Sequence, residues 1–267
     1  MDYFITVIFF IFGSVLGSFL NVVAYRFPRG ESVVFPPSHC PKCGERIKSL
    51  DNIPILSYLL LHGRCRGCGG KISLRYPLIE LITGLLWAAA YSHFGLTLQL
   101  ALGLFFITVL IVLSAIDYDT KTIPNKILLP SIAISLLFML PYLLSIETIP
   151  VITGARATEA VIGSLAGGGF LYVVAILAPL IFKKEAMGGG DIKLAAFAGL
   201  YLGGYVMLAL FIGFFMGAIA GIALIAKDKS RARDMIPFGP FISAGAILTV
   251  FFGPQLWSEY LSIAGLS

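Results

Sequence analysis

Residues 104–125 read LFFITVLIVLSAIDYDTKTIPN, an apolar run that ends abruptly on two aspartates. No charged residue occurs between Leu104 and Ile116, and the uncharged stretch extends upstream to residue 97. A membrane-spanning helix needs about 20 predominantly apolar residues. The stretch therefore predicts a membrane helix that presents Asp117 at its end, where a charged side chain is a default candidate for function.

The composition of the whole chain agrees with a membrane location. Of 267 residues, 58% are hydrophobic and 12% are charged, and the mean hydropathy is +0.94. Soluble domains carry about 25% charged residues. The net charge of +5 does not indicate nucleic-acid binding, because the basic residues gather in a few loops. We expect an all-α polytopic membrane protein whose partner is the lipid bilayer, with no nucleic-acid partner.

Hydropathy along the chain predicts about eight transmembrane helices. They are expected at 4–25, 77–94, 97–117, 127–145, 157–182, 191–202, 204–226 and 237–257. The domains are then a first helix over 1–25, a polar domain over 26–76 and a seven-helix core over 77–267. The segment 191–202 is short enough to be a re-entrant hairpin. We favour a crossing, because otherwise the basic cluster from Lys227 to Arg233 would be exported.

The basic residues also predict the orientation. All 19 except Arg156 fall within 26–76, 121–126, 183–193 or 227–233. Cytoplasmic loops carry an excess of lysine and arginine. These four regions are therefore expected on the cytoplasmic side, with the amino terminus outside.

Four cysteines occur as Cys40-Pro-Lys-Cys43 and Cys65-Arg-Gly-Cys68, in the polar domain. Two such pairs can supply the four thiolates of a tetrahedral zinc site. Their separation is slightly longer than the usual zinc-ribbon gap of about 15–20 residues. Disulfides or free thiols are the alternatives, but a reducing cytoplasm disfavours disulfides. We predict a small, cytoplasmic, zinc-ribbon-like insertion after the first helix, with zinc in a structural role.

Two carboxylates are expected at the same membrane face. Asp117 ends one span, and Asp191 follows Gly188-Gly-Gly190 and opens another. Two close carboxylates share a proton, so one can accept a proton while the other donates one. The glycines Gly188 and Gly190 would let a substrate strand approach the backbone. The alternative is that each aspartate is an interfacial residue or a helix cap.

The second aspartate of the DYD sequence is expected to have a different role. Asp119 lies about 200° around a continued helix from Asp117. Its side chain would therefore face away from that of Asp117. We expect Asp119 to be a supporting acid or a helix cap, and not the catalytic residue.

At these residues the sequence resembles the type IV prepilin peptidases, membrane aspartic peptidases of the Gly-x-Gly-Asp type. The matching motifs run in family order over essentially the whole chain: Gly17–Pro28, the two Cys-x-x-Cys pairs, Arg75–Glu80, Asp117–Pro124 and Gly188–Asp191. The resemblance implies that Asp117 and Asp191 are the catalytic pair. It also implies substrates that are type IV prepilins or secretion pseudopilins, in the bacterial inner (cytoplasmic) membrane. The leader is cut after a glycine and before an N-methylated residue, usually phenylalanine.

The resemblance further implies that the new amino terminus is methylated with S-adenosylmethionine, since members with the cysteine domain commonly have this activity. The chain lacks a strand followed by a glycine-rich turn and helix, which excludes a doubly wound methyltransferase fold. The cofactor is therefore expected in the small domain or where it meets the helices. Glu80 is a candidate for recognition of the leader; the alternative is a structural ion pair with Arg75. Asn21 is a candidate for ligand binding, and its alternative role is an interhelical hydrogen bond.

Three other functions remain open from the sequence. A transporter or channel would favour acids near mid-span in two repeated halves. A noncatalytic assembly protein would use the zinc domain to dock a partner and would tolerate Asp191→Asn. The third alternative is a peptidase without methyl transfer.

Overall fold

The computed structural model describes residues 2–144, 157–182, 187–227 and 236–265. The α-helices in these ranges are α1 (Asp2–Arg26), α2 (Leu56–Leu60), α3 (Arg75–Phe94), α4 (Leu98–Thr120), α5 (Asn125–Leu144), α6 (Ala157–Phe182), α7 (Gly189–Leu202), α8 (Val206–Lys227) and α9 (Gly239–Ile263). Short 3₁₀ segments occupy Phe27–Arg29, Ser49–Asn52 and Gly203–Tyr205. The described ranges contain no β-strand, only two isolated bridges.

The prediction of a mostly helical membrane protein is confirmed. Among the described residues, five helical stretches are long and apolar enough to cross a membrane: Asp2–Arg29, Leu98–Thr120, Thr158–Leu180, Gly189–Lys227 and Gly239–Ile263. The stretch Gly189–Lys227 contains both α7 and α8, which are separated by the 3₁₀ segment at Gly203. The count of eight crossings therefore stays a prediction. Several basic residues behind the predicted orientation lie outside the described residues: Arg156, Lys183, Lys184, Lys229, Arg231 and Arg233.

The chain forms two compact units, and the first comprises residues Met1–Leu100. In this unit α1 packs closely against α3. A Cβ atom added at Gly84 would lie 2.3 Å from Ser14 Oγ, and one at Gly17 would lie 2.8 Å from the Cα atom of Glu80. Small residues at such positions let membrane helices approach closely. The Asn21 amide donates a 3.1 Å hydrogen bond to the Tyr76 carbonyl, which fixes the register of the two helices.

The polar segment between α1 and α3 contains two similar turns around the cysteines. In the first, the N–H of Gly44 donates to the Cys40 carbonyl at 2.9 Å. In the second, the N–H of Gly69 donates to the Cys65 carbonyl at 2.9 Å. Gly44 and Gly69 have φ values of 72° and 67°, a conformation that glycine adopts without steric cost. The Cys-x-x-Cys-Gly pattern thus folds twice into the same turn.

The second unit comprises residues Ala101–Ser267 and is built around α4. Phe106 of α4 stacks on Tyr201 of α7 with ring centroids 4.3 Å apart. The Tyr201 hydroxyl also shares a 2.7 Å hydrogen bond with Ser135 of α5, so one buried side chain joins three helices. Helix α6 approaches α7 through glycines, since a Cβ atom at Gly199 would lie 2.2 Å from the Gly163 carbonyl oxygen. These contacts set the position of α7 against α4.

Candidate active site

Asp117 lies inside α4 and not at its end. The helix continues to Thr120, three residues beyond the predicted end at 117. It stops at Lys121, which has a φ of 54° and donates its N–H to the Asp117 carbonyl at 2.7 Å. This is a left-handed helix cap, a conformation that glycine usually supplies and that lysine adopts only rarely. The Asp117 side chain is only 4% exposed and is therefore held among neighbouring helices.

The start of α9 contacts the Asp117 carboxylate. The backbone N–H of Gly239 donates a 2.9 Å hydrogen bond to Asp117 Oδ2, and this contact is buried. Gly239 is the first residue of α9, where N–H groups have no partner within the helix. A Cβ atom at this position would lie 2.7 Å from Asp117 Oδ2. Only glycine leaves enough space for this approach.

Asp191 is the third residue of α7. Its N–H donates to the Gly188 carbonyl at 3.1 Å, which closes the turn that begins the helix. The preceding glycine, Gly190, packs against the loop that follows α4: a Cβ atom there would lie 2.8 Å from the Cβ atom of Ile123. Thus the Gly-x-Gly-Asp turn is docked on the segment that follows Asp117.

The structure brings Asp117 and Asp191 together. Their carboxyl groups are close enough for repulsion between the charged forms. Two carboxylates that lie close to each other cannot both ionise at low cost, so such a pair can retain one proton. Such a pair can activate a water molecule with one member and protonate a carbonyl oxygen with the other. The proton belongs to the pair and not to either residue.

The other residues predicted around the pair have different surroundings. Asp119 is exposed, unlike Asp117 two residues earlier on the same helix. Gly188 has an extended backbone, and a Cβ atom there would make only ordinary contacts within the described residues, the nearest of them with Asp191 Oδ2 at 3.6 Å. At Gly189, such an atom would have no neighbour within 4 Å among the residues that the structure describes. Of the three glycines, Gly190 is the one at which packing excludes a side chain.

Glu80 lies in the first unit, on α3, and is 8% exposed. Its Oε2 atom accepts a 2.8 Å hydrogen bond from the backbone N–H of Ile55, and the Ser18 side chain also bonds to the carboxylate. Ile55 has a φ of 62°, which is a rare conformation for a β-branched residue. Glu80 therefore joins α3 to α1 and to an unusual turn of the polar segment.

The four cysteine sulfur atoms converge. All four Sγ atoms of Cys40, Cys43, Cys65 and Cys68 lie within 4.8 Å of one another. The Cys40 and Cys68 sulfurs are 3.9 Å apart. Tetrahedral zinc with bonds of about 2.3 Å requires sulfur separations of about 3.8 Å. The donor set and its dimensions thus fit zinc.

The four sulfurs share their charge unequally: the surroundings favour a thiolate at Cys40, whereas burial and the neighbouring sulfurs raise the pKa of Cys43 to about 12. Backbone N–H groups of Cys43 and Lys42 lower the pKa of the Cys40 thiol to about 6. Next to the cluster, Arg66 makes a two-pronged contact with Asp51, with a shortest N–O distance of 2.7 Å. This hydrogen bonding holds the pKa of Asp51 below its usual value. The sulfur cluster therefore joins the two turns to each other, and the ion pair joins the second turn to the segment between them.

Sequence reasoning missed Gly239, Ile123 and Ile55. Each acts through its backbone position or its bulk and carries no reactive group. The only local signal at Gly239 is the Gly-Pro pair at the start of an apolar segment, since proline is favoured in the first turn of a helix. Nothing in the sequence around Ile55 indicates a positive φ.

A helical membrane protein that brings an aspartate in the last turn of one helix near an aspartate in the first turn of another fits the class of membrane aspartic peptidases. Residues 11–94 match the family model described as the bacterial peptidase A24 N-terminal domain. Residues 104–222 match the model of the type IV leader peptidase family. The chain belongs to the type IV leader peptidase family. This family and the five apolar stretches point to a protein of the bacterial inner membrane.

Curated relatives cover nearly the full chain, and each is named prepilin leader peptidase/N-methyltransferase. A protein of Bacillus subtilis is 37% identical over 96% of this chain and 98% of its own length. One from Burkholderia pseudomallei is 34% identical over 96% of this chain and 87% of its own. One from Pseudomonas aeruginosa is 32% identical over 95% of this chain and 92% of its own length. No solved structure matches the chain.

Proposed function

We propose that this protein cleaves the leader peptide of type IV prepilins and pseudopilins and then methylates the new amino terminus. The observation that supports the cleavage is the convergence of Asp117 and Asp191 in one unit of the structure. The relatives' shared name supports both activities, because the relative from Bacillus subtilis is 37% identical over 98% of its own length.

Hydrolysis follows from the chemistry of a shared proton. The ionised carboxylate of the pair takes a proton from water, and the water oxygen attacks the carbonyl carbon of the scissile bond. The protonated carboxyl group donates to the carbonyl oxygen as the tetrahedral intermediate forms. When the C–N bond breaks, the leaving nitrogen accepts a proton from the pair. No covalent enzyme intermediate is formed.

The residues around the pair hold it in position. The Gly239 N–H binds Asp117 Oδ2 and thereby limits the rotation of that carboxylate. Gly190 allows the turn before Asp191 to dock on Ile123. Because rates are sensitive to the orientation of acid–base groups, these contacts support catalysis without touching the substrate. Asp119, which is exposed, is assigned no step in the reaction.

The proposed topology matches the proposed substrate. Eight crossings with the amino terminus outside would place the cysteine domain and both aspartates at the cytoplasmic face. A prepilin is itself a membrane helix with a short basic leader, and its scissile bond lies near that face. The loops of the enzyme on that side are also basic, so long-range attraction does not recruit the leader. Specific groups and helix packing are the proposed means of recognition.

Zinc is proposed to have a structural role. Cys40, Cys43, Cys65 and Cys68 would hold it, and their four thiolates leave no open position for a reactant. The metal would connect the two turns of a segment that has little apolar core of its own.

S-adenosylmethionine is the proposed methyl donor. When bound, it would supply an electrophilic methyl group, carried on a positively charged sulfur, to the new amino terminus. The protein must hold the neutral amine near this methyl group and exclude water from between them.

A single experiment separates the two activities. The purified protein in detergent is incubated with a synthetic prepilin, with and without S-adenosylmethionine, and the products are identified by intact mass. We expect loss of the leader in both samples and one added methyl group in the sample with the donor. Cleavage without methylation would confine the protein to proteolysis. No cleavage by a demonstrably folded protein would contradict the proposal and favour transport.

A further inference from the structure

The polar segment between α1 and α3 contains a short apolar stretch. Residues 53–61 read IPILSYLLL and include no charged side chain. The stretch contains the short helix α2, Leu56–Leu60. It is too short to span a bilayer, since a crossing takes about 20 residues. The stretch is therefore either the core of the polar segment or a surface for an apolar partner.

Helix α2 turns its leucines outward. Leu56, Leu59 and Leu60 are 56%, 62% and 74% exposed. Their spacing of three and four residues puts them on one face of the helix. Ser57, in contrast, is buried and donates a 3.0 Å hydrogen bond to the Leu50 carbonyl. The leucines are thus not part of the core of the first unit, and such an exposed apolar patch indicates contact with a protein or a membrane.

Helix α1 shows the depth at which this stretch lies. The N–H of Ile55 donates to Glu80 Oε2 at 2.8 Å, and the Ser18 side chain bonds to the same carboxylate. Ser18 lies eight residues before Arg26, the last residue of α1. At about 1.5 Å per residue, it is about 12 Å from the end of the helix. The turn that begins α2 is therefore held beside the interior of a membrane helix.

A groove along α1 indicates the same depth. Ile53 and Pro54 line this groove, of about 550 Å³, together with Val15 and Phe19 of α1. The uncharged part of α1, residues 3–25, is about 35 Å long, whereas the hydrocarbon core of a bilayer is about 30 Å thick. Val15 and Phe19 lie well inside that length. Residues 53–55 are therefore at the level of the hydrocarbon and not of an aqueous loop.

The backbone of the stretch is suited to this depth, where N–H groups must bond within the protein. Pro54 has no N–H, and the N–H of Ile55 bonds to Glu80. The following donors are paired in a helical pattern at distances between 2.9 and 3.2 Å: Ser57 to Ile53, Leu59 to Ile55 and Leu61 to Ser57. The buried Glu80 carboxylate thus pairs an N–H that the start of α2 would leave unsatisfied.

The ends of the stretch are basic. Lys48 precedes it and Arg64 follows it, and both side chains are exposed. Long basic side chains can extend from apolar surroundings to the lipid headgroups, and anionic lipids attract them. The charge at both ends therefore matches a bilayer better than a soluble apolar partner.

We propose that residues 53–61 dip into the bilayer and leave it on the side from which they entered, with the leucine face of α2 on lipid acyl chains. The cysteine turns flank the stretch and their sulfurs lie within 4.8 Å of one another, so both of its ends are on one side. The polar segment is thereby held against the membrane surface. This inference goes beyond the proposed reaction and does not depend on it.

Paired labelling of the wild-type chain tests the proposal. Nanodiscs that each hold one chain are made with a phosphatidylcholine that carries a diazirine on an acyl chain, and labelled residues are identified by peptide mass spectrometry. A parallel sample is exposed to hydroxyl radicals, which oxidise side chains that face water. We expect lipid label on Leu56, Leu59 and Leu60 at the level of Phe12, which is 62% exposed on α1. The exposed residues 41–46 should take up at least tenfold less.

Two results would overturn the proposal. Oxidation of the three leucines at the level of residues 41–46, without lipid label, would show that they face water. Neither label nor oxidation would show that protein covers them. Because prepilin cleavage is not measured, failure here is separate from failure of the proposed function.

A charged variant tests whether the leucine face holds the stretch in the bilayer. In the double variant Leu59→Asp/Leu60→Asp, we expect the lipid label on Leu56 to fall at least fivefold. Ser49→Asp is the matched control, since it adds a charge at an exposed residue of the polar segment outside the stretch, and it should label like the wild type. Unchanged label on Leu56 in the double variant would contradict the role of the leucine face.

Discussion

The backbone N–H of Gly239 donates a 2.9 Å hydrogen bond to Asp117 Oδ2, and 122 residues of chain separate the two. The first turn of α9 is thereby attached to one of the two candidate catalytic carboxylates. Helix N-termini carry partial positive charge and favour anions. This contact explains how a carboxylate inside a membrane helix can be buried and still have a polar partner.

A methyl group at Gly239 should impair the reaction more than the fold. In Gly239→Ala, the Cβ atom would meet Asp117 Oδ2 at 2.7 Å, so the carboxylate must rotate. We expect kcat for prepilin cleavage to fall at least tenfold with little change in KM, because misplacement of a reacting group by about 1 Å can reduce rates by about 100-fold. Gly169→Ala is the control, since no atom of the described part of the chain lies within 4 Å of its Cβ position. Wild-type kcat in Gly239→Ala would refute the positioning role.

The three glycines before Asp191 should not be equivalent. Gly190→Ala would place a Cβ atom 2.8 Å from the Cβ atom of Ile123, whereas Gly189→Ala meets nothing within 4 Å. We expect Gly190→Ala to lower the cleavage rate at least tenfold and Gly189→Ala to fold with wild-type thermal stability. Equal activity and equal melting temperature for both variants would show that docking on Ile123 is unimportant.

Zinc should be present at one ion per chain. Elemental analysis of the purified protein tests this, and Cys40→Ser should lose the metal. Protons compete with zinc for the thiolates, so the affinity of the protein for zinc should fall as the pH is lowered. Backbone N–H groups hold the pKa of Cys40 at about 6, so we expect that thiolate to persist at neutral pH without the metal. A protein that is fully folded without any metal would contradict the structural role.

Loss of the Glu80 carboxylate should loosen the polar segment. Glu80→Leu would leave the Ile55 N–H unpaired, and an unsatisfied buried group costs about 1–3 kcal/mol. Limited proteolysis within 27–74 should therefore be faster in Glu80→Leu. Glu80→Gln keeps an acceptor for the 2.8 Å bond and should resemble the wild type. If Glu80→Leu is as resistant as Glu80→Gln but binds prepilin poorly, leader recognition is the better account.

Much of the architecture was predictable, because hydropathy decides where membrane helices lie. The described helices α6 (Ala157–Phe182) and α8 (Val206–Lys227) begin and end within two residues of the predicted segments 157–182 and 204–226. The predicted topology placed Asp117 and Asp191 at one membrane face, at the carboxyl end of one helix and the amino end of another, and the structure places the two residues near each other. The orientation itself stays a prediction. The burial of Asp117 and the exposure of Asp119 agree with helical periodicity.

The supporting contacts were not predictable for a physical reason. Gly239 acts through a backbone N–H group that every residue except proline has, and its partner lies 122 residues away. The bond from Ile55 to Glu80 depends on a φ of 62°, which the residue type disfavours. The extension of α4 past Asp117 depends on a left-handed turn at Lys121. Each depends on packing, which a local pattern does not reveal.

Cleavage by single-aspartate variants tests the central claim most directly. Asp117→Asn and Asp191→Asn keep size and hydrogen bonding but remove the shared proton, and Asp119→Asn is the matched control on an exposed residue of α4. With a synthetic prepilin and intact-mass detection, we expect cleavage to fall by about 100-fold or more in the first two variants, as is typical for loss of an acid–base group. Asp119→Asn should cleave at the wild-type rate. Wild-type cleavage by Asp117→Asn or Asp191→Asn would show that the pair is not the catalytic centre.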